Sequence, residues 1–260
     1  MRVSVVIITK NEEENIKRCL KSVYWADEKI VVDSGSSDST VTQARKMGAR
    51  VFKLRWKGYA SQKNYAINKA RGPWILSLDA DEEIPRELAD EIKRVVSSVK
   101  PADGYYINRR NFFYGKELRH GISPDFQLRL FRKGQGKFAD SEVHEAVEIN
   151  GEKKRLESSM LHFSKPDIRA HIESLNSYTD LEAGRAVRIG YRPTGYSVFI
   201  RPGFIFLKNY IFKLGLLDGK EGLVFNVINA MYYFIKEIKI LEKSGLKLTG
   251  LFSTLFRRAR

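Results

Sequence analysis

Apolar strand-like segments and helix-like segments alternate through the first hundred residues. The strand-like segments are rich in β-branched residues, and the segments between them carry apolar residues at helical spacing. Apolar strands separated by helices are typical of a parallel sheet that is covered on both faces. The sequence therefore predicts an α/β fold with a Rossmann-like sheet. The predicted strands are residues 3–8, 30–32, 49–53 and 74–78, and the predicted helices are residues 13–24, 37–47, 59–70 and 85–99.

The pattern changes after residue 100. Residues 104–110 and 126–131 alternate between apolar and polar side chains, with Gly-rich turns between them. This pattern predicts antiparallel strands added to one edge of the sheet, which makes the sheet mixed. A short strand at 160–163 and a long amphipathic helix at 167–189 follow. We expect three parts, at residues 1–100, 101–195 and 196–260.

Composition limits the partners and the compartment. The net charge is +15 and the pI is about 9.8, so the chain attracts polyanions such as nucleic acid, anionic lipid or phosphorylated substrates. The single cysteine, Cys19, excludes a disulfide framework and a Cys-based zinc site, and its apolar helical setting predicts a small core residue. We expect no signal peptide and no transmembrane helix, because the chain starts with a strand and has no run of about 18 uncharged apolar residues.

Polar side chains follow three of the predicted parallel strands, at the points where the strands end. Because parallel strands end at one edge of a sheet, these groups should line a single crevice, where open α/β folds bind ligands. Asp79 and Asp81 are hard oxygen ligands that suit Mg²⁺ or Mn²⁺ completed by substrate phosphates. The missing G-x-G-x-x-G and P-loop sequences argue against a dinucleotide dehydrogenase or an ATPase. The other strand-end groups are Thr9, Lys10, Asn11, Glu12, Asp33, Ser34, Gly35 and Ser36.

Six segments carry a family resemblance. The first three are VSVVIITKNEEENI, IVVDSGSSDST and GYASQKNYAINKARGPWILSLDADEEI, and the later three are VHEAV, LHFSKPD and LGLLDGKEGL. The first three resemble glycosyltransferase family 2, the inverting nucleotide-sugar transferases, and the later three are similar to its lipopolysaccharide-core β-glucosyltransferase subgroup. The resemblance covers essentially the whole chain. It implies a sheet of the glycosyltransferase A type, Mg²⁺ or Mn²⁺ as cofactor, a donor that is a UDP-linked hexose, and a lipid-linked envelope glycan as acceptor.

The resemblance also implies a role for each matching residue. Asp33 would contact the base, Asp79 would face the ribose, and Asp81 would ligate the metal that bridges the diphosphate. His162 closes the strand MLHF, where some related transferases supply a third metal ligand, and a structural histidine is the equal alternative. The remaining nucleotide-sugar-binding residues would be Thr9, Asn11 and Glu12 in the nucleoside pocket and Lys63 near the base or the phosphates. A helix cap or a solvated surface group is the alternative for Thr9, Asn11 and Lys63.

Inverting transfer needs a base that removes the proton of the acceptor hydroxyl. In the family this base follows Asp-x-Asp at some distance, and the matching segment is ADSEVHEAV at residues 139–147. We select Glu145 as the base. The usual Glu-Asp pair of the family is replaced here by His144-Glu145, so Asp140, Glu142 and Asp125 stay open as alternatives.

Residues 196–260 are aromatic, apolar and basic. They hold eleven Lys and Arg against four Asp and Glu, so +7 of the net charge of +15 lies in a quarter of the chain. Phe225, Ile228, Tyr232 and Ile235 lie at helical spacing among basic residues, as in helices that bind an anionic bilayer. We therefore expect a cytoplasmic protein that is peripheral on the inner face of the cell membrane. The alternative is a helix that packs on the catalytic domain, and the two interpretations are compatible if they use different faces of the helix. Nucleic acid is disfavoured, because the positive charge follows aliphatic bulk.

The sequence thus predicts a metal-dependent inverting hexosyltransferase that acts on lipopolysaccharide core or a related glycan. Residues 1–100 would bind the nucleotide-sugar, residues 101–195 would bind the acceptor and carry the base, and residues 196–260 would bind the membrane. One alternative is a transferase for a soluble protein or small-molecule acceptor. The other is a non-catalytic nucleotide-binding protein, which the presence of Asp79, Asp81 and a candidate base disfavours.

Overall fold

The computed structural model describes residues 3–139, 147–163 and 167–246. These residues form two compact units. Unit 1 consists of the described parts of Met1–Arg110 and Pro124–Phe163, and unit 2 of the described parts of Asn111–Ser123 and Ser164–Arg260. The boundaries at residues 100 and 195 stay predictions, because they divide the chain by role.

Most of the predicted strands and helices are present in the structure. Between Val3 and Phe163 the elements are β1 (Val3–Thr9), α1 (Glu13–Ser22), β2 (Glu28–Asp33), α2 (Thr40–Lys46), β3 (Arg50–Lys53), α3 (Tyr59–Lys69), β4 (Trp74–Asp79), β5 (Glu82–Glu83), α4 (Arg86–Val96), β6 (Gly104–Phe113), β7 (Lys116–Leu118), β8 (Phe126–Arg132), β9 (Gly136–Phe138), β10 (Val147–Ile149) and β11 (Lys153–Phe163). Three α-helices follow, α5 (Ile168–Arg188), α6 (Arg201–Leu207) and α7 (Gly219–Ser244), with π-helical turns at Tyr196–Ile200 and Lys208–Phe212 and a 3₁₀ turn at Gly215–Asp218.

The first four long strands of unit 1 are parallel and lie in the order β3-β2-β1-β4. The chain runs from β1 through β2 to β3 on one side, and then returns to place β4 on the other side of β1. The topological switch point therefore lies between β1 and β4, and the crevice at such a point is where open α/β sheets bind ligands. Thr9 is in register with Asp33 of β2, and Ile8 is in register with Asp79 of β4.

The predicted antiparallel extension is confirmed. β8 pairs antiparallel with β4, and β6 pairs antiparallel with β8. The sheet continues from β6 through β11 to the short strand β5, and β9 pairs with β10 in a separate two-stranded sheet. β11 is longer than the predicted strand at 160–163, and its last residues pair with β5 so that His162 is in register with Glu82.

Two hydrophobic cores cover the two faces of the parallel strands. Val5 and Ile7 of β1 pack with α1, and the alternate residues Val6 and Ile8 pack in the core that contains α3. This alternation is the two-residue period of a strand that is buried on both faces. Cys19 of α1 is fully buried, which confirms it as a small core residue.

Helix α2 begins at Thr40, three residues later than the sequence predicts. The carboxylate of Asp38 accepts hydrogen bonds from the backbone N–H of Thr40 at 3.0 Å and from the backbone N–H of Glu13 at 3.2 Å. Such local bonds from Asp hold the chain in a turn before the helix. Residues 37–39 therefore form part of the loop at the carboxyl end of β2.

Unit 2 is mainly helical. Asp167 caps α5 by accepting a hydrogen bond from the N–H of Ala170 at 2.8 Å. Helix α7 packs along α5 and α6, and it contributes Ile228 to a small core with Phe113, Leu118 and Leu175. Among the described residues, no helix is long and apolar enough to cross a membrane.

One prediction for the C-terminal region is wrong, namely which face of α7 would bind a membrane. Phe225, Tyr232 and Ile235 pack against the core of unit 2, and Ile228 belongs to that core, so this face of α7 is not presented to a bilayer. The helix has a second apolar face, and periodicity alone does not tell which face is packed. The exposed apolar residues of α7 are Leu223, Val224, Val227, Met231 and Phe234.

Candidate active site at the carboxyl edge of the sheet

The strand-end residues that the sequence singles out meet at the switch point. Thr9, Asp33 and Asp79 are the last residues of β1, β2 and β4. The backbone N–H of Ser34 donates to the carbonyl of Thr9 at 3.0 Å, which joins the two loops that follow β1 and β2. The three strand ends therefore share one edge of the sheet, as the sequence predicts.

Thr9 carries a polar group that the fold does not use. The residue is 5% exposed, and its hydroxyl has no hydrogen-bond partner within the described part of the chain. A buried hydroxyl without a partner is costly, so such groups in native proteins need an explanation. A ligand at the switch point would supply the missing partner. The alternative of a solvated surface threonine is excluded by its burial.

Asn11 and Glu12 tie the loop after β1 to the loop after β2. The N–H of Asn11 donates to Ser36 Oγ at 2.9 Å, and its side-chain oxygen accepts from the N–H of Ser37 at 2.9 Å. The N–H of Glu12 donates to Thr40 Oγ1 at 2.8 Å. Asn11 adopts the left-handed conformation with φ +54°, which Asn tolerates better than most residues. Both residues shape the loops, and their contacts with a nucleoside stay predictions.

The side chain of Asp33 forms hydrogen bonds within the loop that follows β2. Its carboxylate accepts hydrogen bonds from the N–H of Gly35 at 3.0 Å and from the N–H of Ser36 at 3.1 Å, and it also bonds to the Ser36 hydroxyl. The residue is 1% exposed. Asp33 therefore fixes the turn 33–36 in the structure, and recognition of the base by this carboxylate stays a prediction.

Asp79 lies between two positive charges. Lys63 Nζ is 2.9 Å from Asp79 Oδ1, and Arg129 Nη2 is 2.6 Å from Asp79 Oδ2. Burial raises the pKa of Asp79, but the charges of Arg129 and Lys63 outweigh burial and hold this pKa well below its usual range. Lys63 is buried, so it is not a solvated surface group, and it reaches the site through Asp79. Contact between Lys63 and a base or phosphate stays a prediction.

Three residues that the sequence did not single out extend this arrangement. Arg129 Nη2 is also 2.6 Å from Glu82 Oε1, and Arg109 Nη1 is 3.5 Å from the same oxygen. The other carboxylate oxygen of Glu82 accepts from the N–H of Asp79 at 2.9 Å. Burial raises the pKa of Glu82 although Arg129 opposes this shift. Positive and negative side chains therefore alternate along a series of contacts, in the order Lys63, Asp79, Arg129 and Glu82.

Asp81 and His162 come together because β5 pairs with β11. His162 Nε2 is 3.6 Å from Asp81 Oδ2, and the N–H of Phe163 donates to the carbonyl of Asp81 at 3.0 Å. Ligands about 2.1 Å from one Mg²⁺ lie about 3–4 Å apart, so this pair fits a shared cation. The described residues contain no group of three or more His, Cys, Asp or Glu side chains arranged for a metal. A carboxylate and an imidazole therefore fit a cation whose remaining ligands come from substrate phosphates and water.

The candidate bases divide into two groups. Glu145, Glu142 and Asp140 lie outside the described residues. Asp125 is described, and its carboxylate accepts from Arg109 Nε at 2.8 Å and pairs with Arg109 Nη2 at 2.7 Å. Both contacts join Asp125 to the guanidinium of Arg109 in a charge-assisted pair.

Comparison with known proteins places the chain in a family. The sequence profile of glycosyl transferase family 2 matches residues 4–149. The chain is 30% identical to the lipopolysaccharide core biosynthesis glycosyltransferase LpsC of Rhizobium meliloti, over 94% of each chain. It is 32% identical to an uncharacterized glycosyltransferase of Rickettsia bellii, over 94% of this chain and 87% of that protein.

A solved structure shows the same fold at low identity. It is the mannosyltransferase PcManGT from Pyrobaculum calidifontis in complex with GDP-Man and Mn²⁺, with a TM-score of 0.56 and 17% identity over 92% of this chain and 87% of that chain. The fold is that of the glycosyltransferases of A type, as the sequence predicts. The chain belongs to glycosyl transferase family 2 and is a glycosyltransferase.

Proposed function

We propose that the protein is a metal-dependent, inverting hexosyltransferase that moves a sugar from a nucleotide-diphosphate sugar to a lipid-linked envelope glycan such as lipopolysaccharide core. The observation that carries the proposal is the position of Asp79 and Asp81 at the switch point of the sheet, with His162 paired to Asp81. Carboxylates at this position, together with the unused hydroxyl of Thr9, suit a nucleotide and its cation.

The donor would be held by residues of unit 1. Asp81 and His162 would hold Mg²⁺ or Mn²⁺, which when bound neutralises charge on the diphosphate leaving group. Each oxygen of Asp79 has one cationic neighbour and two lone pairs, so the carboxylate can still accept from a ribose hydroxyl. The complex of PcManGT with GDP-Man and Mn²⁺ is consistent with this use of the fold. We favour a UDP-linked hexose as donor.

The transfer step would be a direct displacement. Glu145 would take the proton of the acceptor hydroxyl while the acceptor oxygen bonds to the anomeric carbon. The bond from that carbon to the phosphate oxygen breaks at the same time, and its electron pair leaves with the nucleoside diphosphate. Attack from the face opposite the leaving group inverts the anomeric configuration.

The acceptor class rests on a relative and on the surface of unit 2. LpsC is named for lipopolysaccharide core biosynthesis, and the match extends over nearly the full length of both chains. Between Glu182 and Asp218 the sequence has six Lys and Arg and no Asp or Glu. A lipid-linked acceptor requires the enzyme to work at a membrane, and a basic surface suits an anionic one.

Exposed apolar side chains accompany this basic segment. Phe204 is 53% exposed and Phe212 is 76% exposed, and Lys208 and Lys213 are exposed beside them. Exposed aromatic residues beside lysines are typical of surfaces that insert into the headgroup region of a bilayer. We therefore place a peripheral membrane-binding surface on residues 199–217, and we propose that it lies against the cytoplasmic face of the cell membrane.

A transfer assay tests the function. The full chain is incubated with UDP-glucose, UDP-galactose or GDP-mannose, a truncated lipopolysaccharide acceptor, and Mn²⁺, Mg²⁺ or EDTA. We expect transfer of one hexose in the presence of metal, and NMR of the product should show the anomeric configuration opposite to that of the donor. Retention of configuration or full activity in EDTA would contradict the proposed mechanism. Equal transfer to the delipidated core oligosaccharide would favour a soluble acceptor.

A further inference from the structure

Six charged side chains of unit 1 alternate in sign along one continuous row. Each is in contact with the next, at separations between 2.6 and 3.5 Å. The row starts on α3, passes through β4, β8, β5 and β6, and ends in the segment before β8. We call it the charge row. Its members are, in order, Lys63, Asp79, Arg129, Glu82, Arg109 and Asp125.

Stability alone does not account for the centre of this row. Glu82 is 0% exposed and Arg129 is 6% exposed, so both ions are removed from water. Desolvation of a buried ion pair cancels most of its attraction, and replacing such a pair by neutral side chains of similar volume is often neutral or stabilising. A buried pair therefore needs another explanation, and the geometry of the neighbouring turn supplies one.

Arg129 and Glu82 close the turn that contains Asp81. The same nitrogen of Arg129 contacts Asp79 at the start of the turn and Glu82 at its end. Glu82 then accepts from the N–H of Asp79, which completes a ring of contacts around residues 79–82. Asp81 lies inside this turn, and its carbonyl accepts from the N–H of Phe163 in β11. The path of the turn is therefore held by contacts from two other strands, β8 and β11.

We propose that Arg129 and Glu82 are positioning residues that fix the distance and direction between Asp79 and Asp81. They act through these two aspartates. The inference rests on the proposed function, in which Asp81 and His162 hold the metal and Asp79 contacts the ribose. Outer partners that orient metal ligands typically change metal affinity by about 10–100-fold when they are removed.

The test uses two matched double variants of the full chain. Glu82→Gln with Arg129→Met removes one negative and one positive charge at the site, so the net charge is unchanged. Glu28→Gln with Arg50→Met does the same at the amino end of the parallel strands, where Glu28 pairs with Arg50. Calorimetric titration with UDP in the presence of Mn²⁺ measures binding, and urea unfolding of each variant measures stability.

We expect the site variant to unfold cooperatively and to bind UDP with Mn²⁺ at least about tenfold more weakly than the parent. The control variant should stay within about twofold of the parent. A purely structural role would lower stability and leave the affinity of the folded protein unchanged. Parental affinity in the folded site variant would therefore overturn the inference while leaving the proposed function intact.

Arg129→Lys keeps the test decisive if the double variant does not fold. A lysine ammonium does not reproduce the planar, multi-donor geometry of the guanidinium, so we expect weaker Mn²⁺-dependent UDP binding than in the parent. Parental binding by this variant would overturn the inference. A parent that binds neither UDP nor GDP in a Mn²⁺-dependent manner would overturn the proposed metal site and the inference together.

Discussion

Each end of the parallel sheet in unit 1 has a carboxylate that pairs with arginine. The two ends differ in the other polar groups that lie near this pair. At the amino end, Glu28 accepts from the hydroxyl of Ser4 at 2.7 Å and from the N–H of Arg71 at 2.7 Å, and it pairs with Arg50. These partners come from β1, β3 and the segment before β4. Glu28 therefore joins neighbouring segments of the fold.

At the carboxyl end, Asp79 is also paired, with Lys63 and Arg129. Here, however, a buried hydroxyl at Thr9 has no partner in the described chain, and a second carboxylate, Asp81, lies beside His162. A carboxylate paired with arginine therefore does not by itself mark a functional site. The unpartnered hydroxyl of Thr9 and the pairing of Asp81 with His162 are the features of this end that the proposed function uses.

The largest effect should come from Asp81→Ala. The variant loses a carboxylate ligand, so the diphosphate loses the cation that neutralises it, and we expect turnover to fall by more than about 10³-fold. A transfer assay at saturating Mn²⁺ measures this loss. Glu28→Gln is the control, because it removes a carboxylate at the other end of the same sheet. Equal turnover in Asp81→Ala and the parent would contradict the assignment of the active site to the carboxyl end of the sheet.

Glu145→Gln should reduce turnover by about 10²–10⁴-fold and leave donor affinity close to parental, because a base acts in the transition state. Turnover with a truncated lipopolysaccharide acceptor and calorimetric binding of UDP with Mn²⁺ measure the two quantities. Glu142→Gln and Asp140→Asn are matched controls in the same segment. A Glu145→Gln enzyme with the parental rate would give the role to one of these residues or to Asp125.

Substitution of Lys208 and Lys213 by Gln should weaken binding to anionic vesicles about 30-fold. Each lysine near an anionic surface contributes about 1 kcal/mol, so two contribute about 2 kcal/mol. Co-sedimentation with phosphatidylglycerol vesicles at low salt measures the change. The control replaces Lys17 and Lys21, two exposed lysines of α1, by Gln. Equal loss in both variants would mean that net charge, and not residues 199–217, governs adsorption.

The smallest effect should be that of Glu28→Gln, at the amino end of the sheet, on the free energy of unfolding. Burial raises the pKa of Glu28, but hydrogen bonds from Ser4 and Arg71 and the charge of Arg50 outweigh it, so the pKa is lowered. The ionised form then stabilises the folded chain above the unfolded pKa of about 4.3, and this contribution is lost as the pH falls through the lower folded pKa.

Glu28→Gln should accordingly lower the free energy of unfolding by about 1 kcal/mol at pH 7. The difference from the parent should shrink at pH 3, which lies below the unfolded pKa, because the unfolded state then binds a proton that the folded state holds less readily. Urea unfolding at both pH values measures it. A difference that does not change with pH would show that the effect is not electrostatic.

The strand ends of unit 1 were predictable from sequence, because each depends on a local pattern. Thr9, Asp33 and Asp79 directly follow apolar β-branched segments, so their shared edge follows from parallel strands. The approach of His162 to Asp81 depends on the pairing of β5 with β11, which joins segments about 80 residues apart. No local pattern encodes that pairing, and only the family resemblance pointed to it.

Arg129 and Glu82 were missed because each fits an ordinary local interpretation. The segment FQLRLF predicts an alternating strand with Arg129 on a polar face. The sequence around Glu82 predicts an acidic turn. β8 is in fact an internal strand between β4 and β6, and Arg129 is buried there, so it needs a charged partner. An arginine flanked by leucines in an internal strand is the signal that could have indicated this. The packed face of α7 was mistaken for a different reason, since the helix has two apolar faces.

The most direct test of the account is whether nucleotide and metal bind together at Asp81. Thermal unfolding of the parent is measured with UDP, GDP and their hexose derivatives, each in Mn²⁺ or in EDTA. A ligand at a hundred times its dissociation constant adds about 2.7 kcal/mol to the free energy of unfolding. We expect stabilisation by one nucleotide series in Mn²⁺ only, and we expect it to be retained in Glu28→Gln and lost in Asp81→Ala. Equal stabilisation in EDTA, or in Asp81→Ala, would contradict this account.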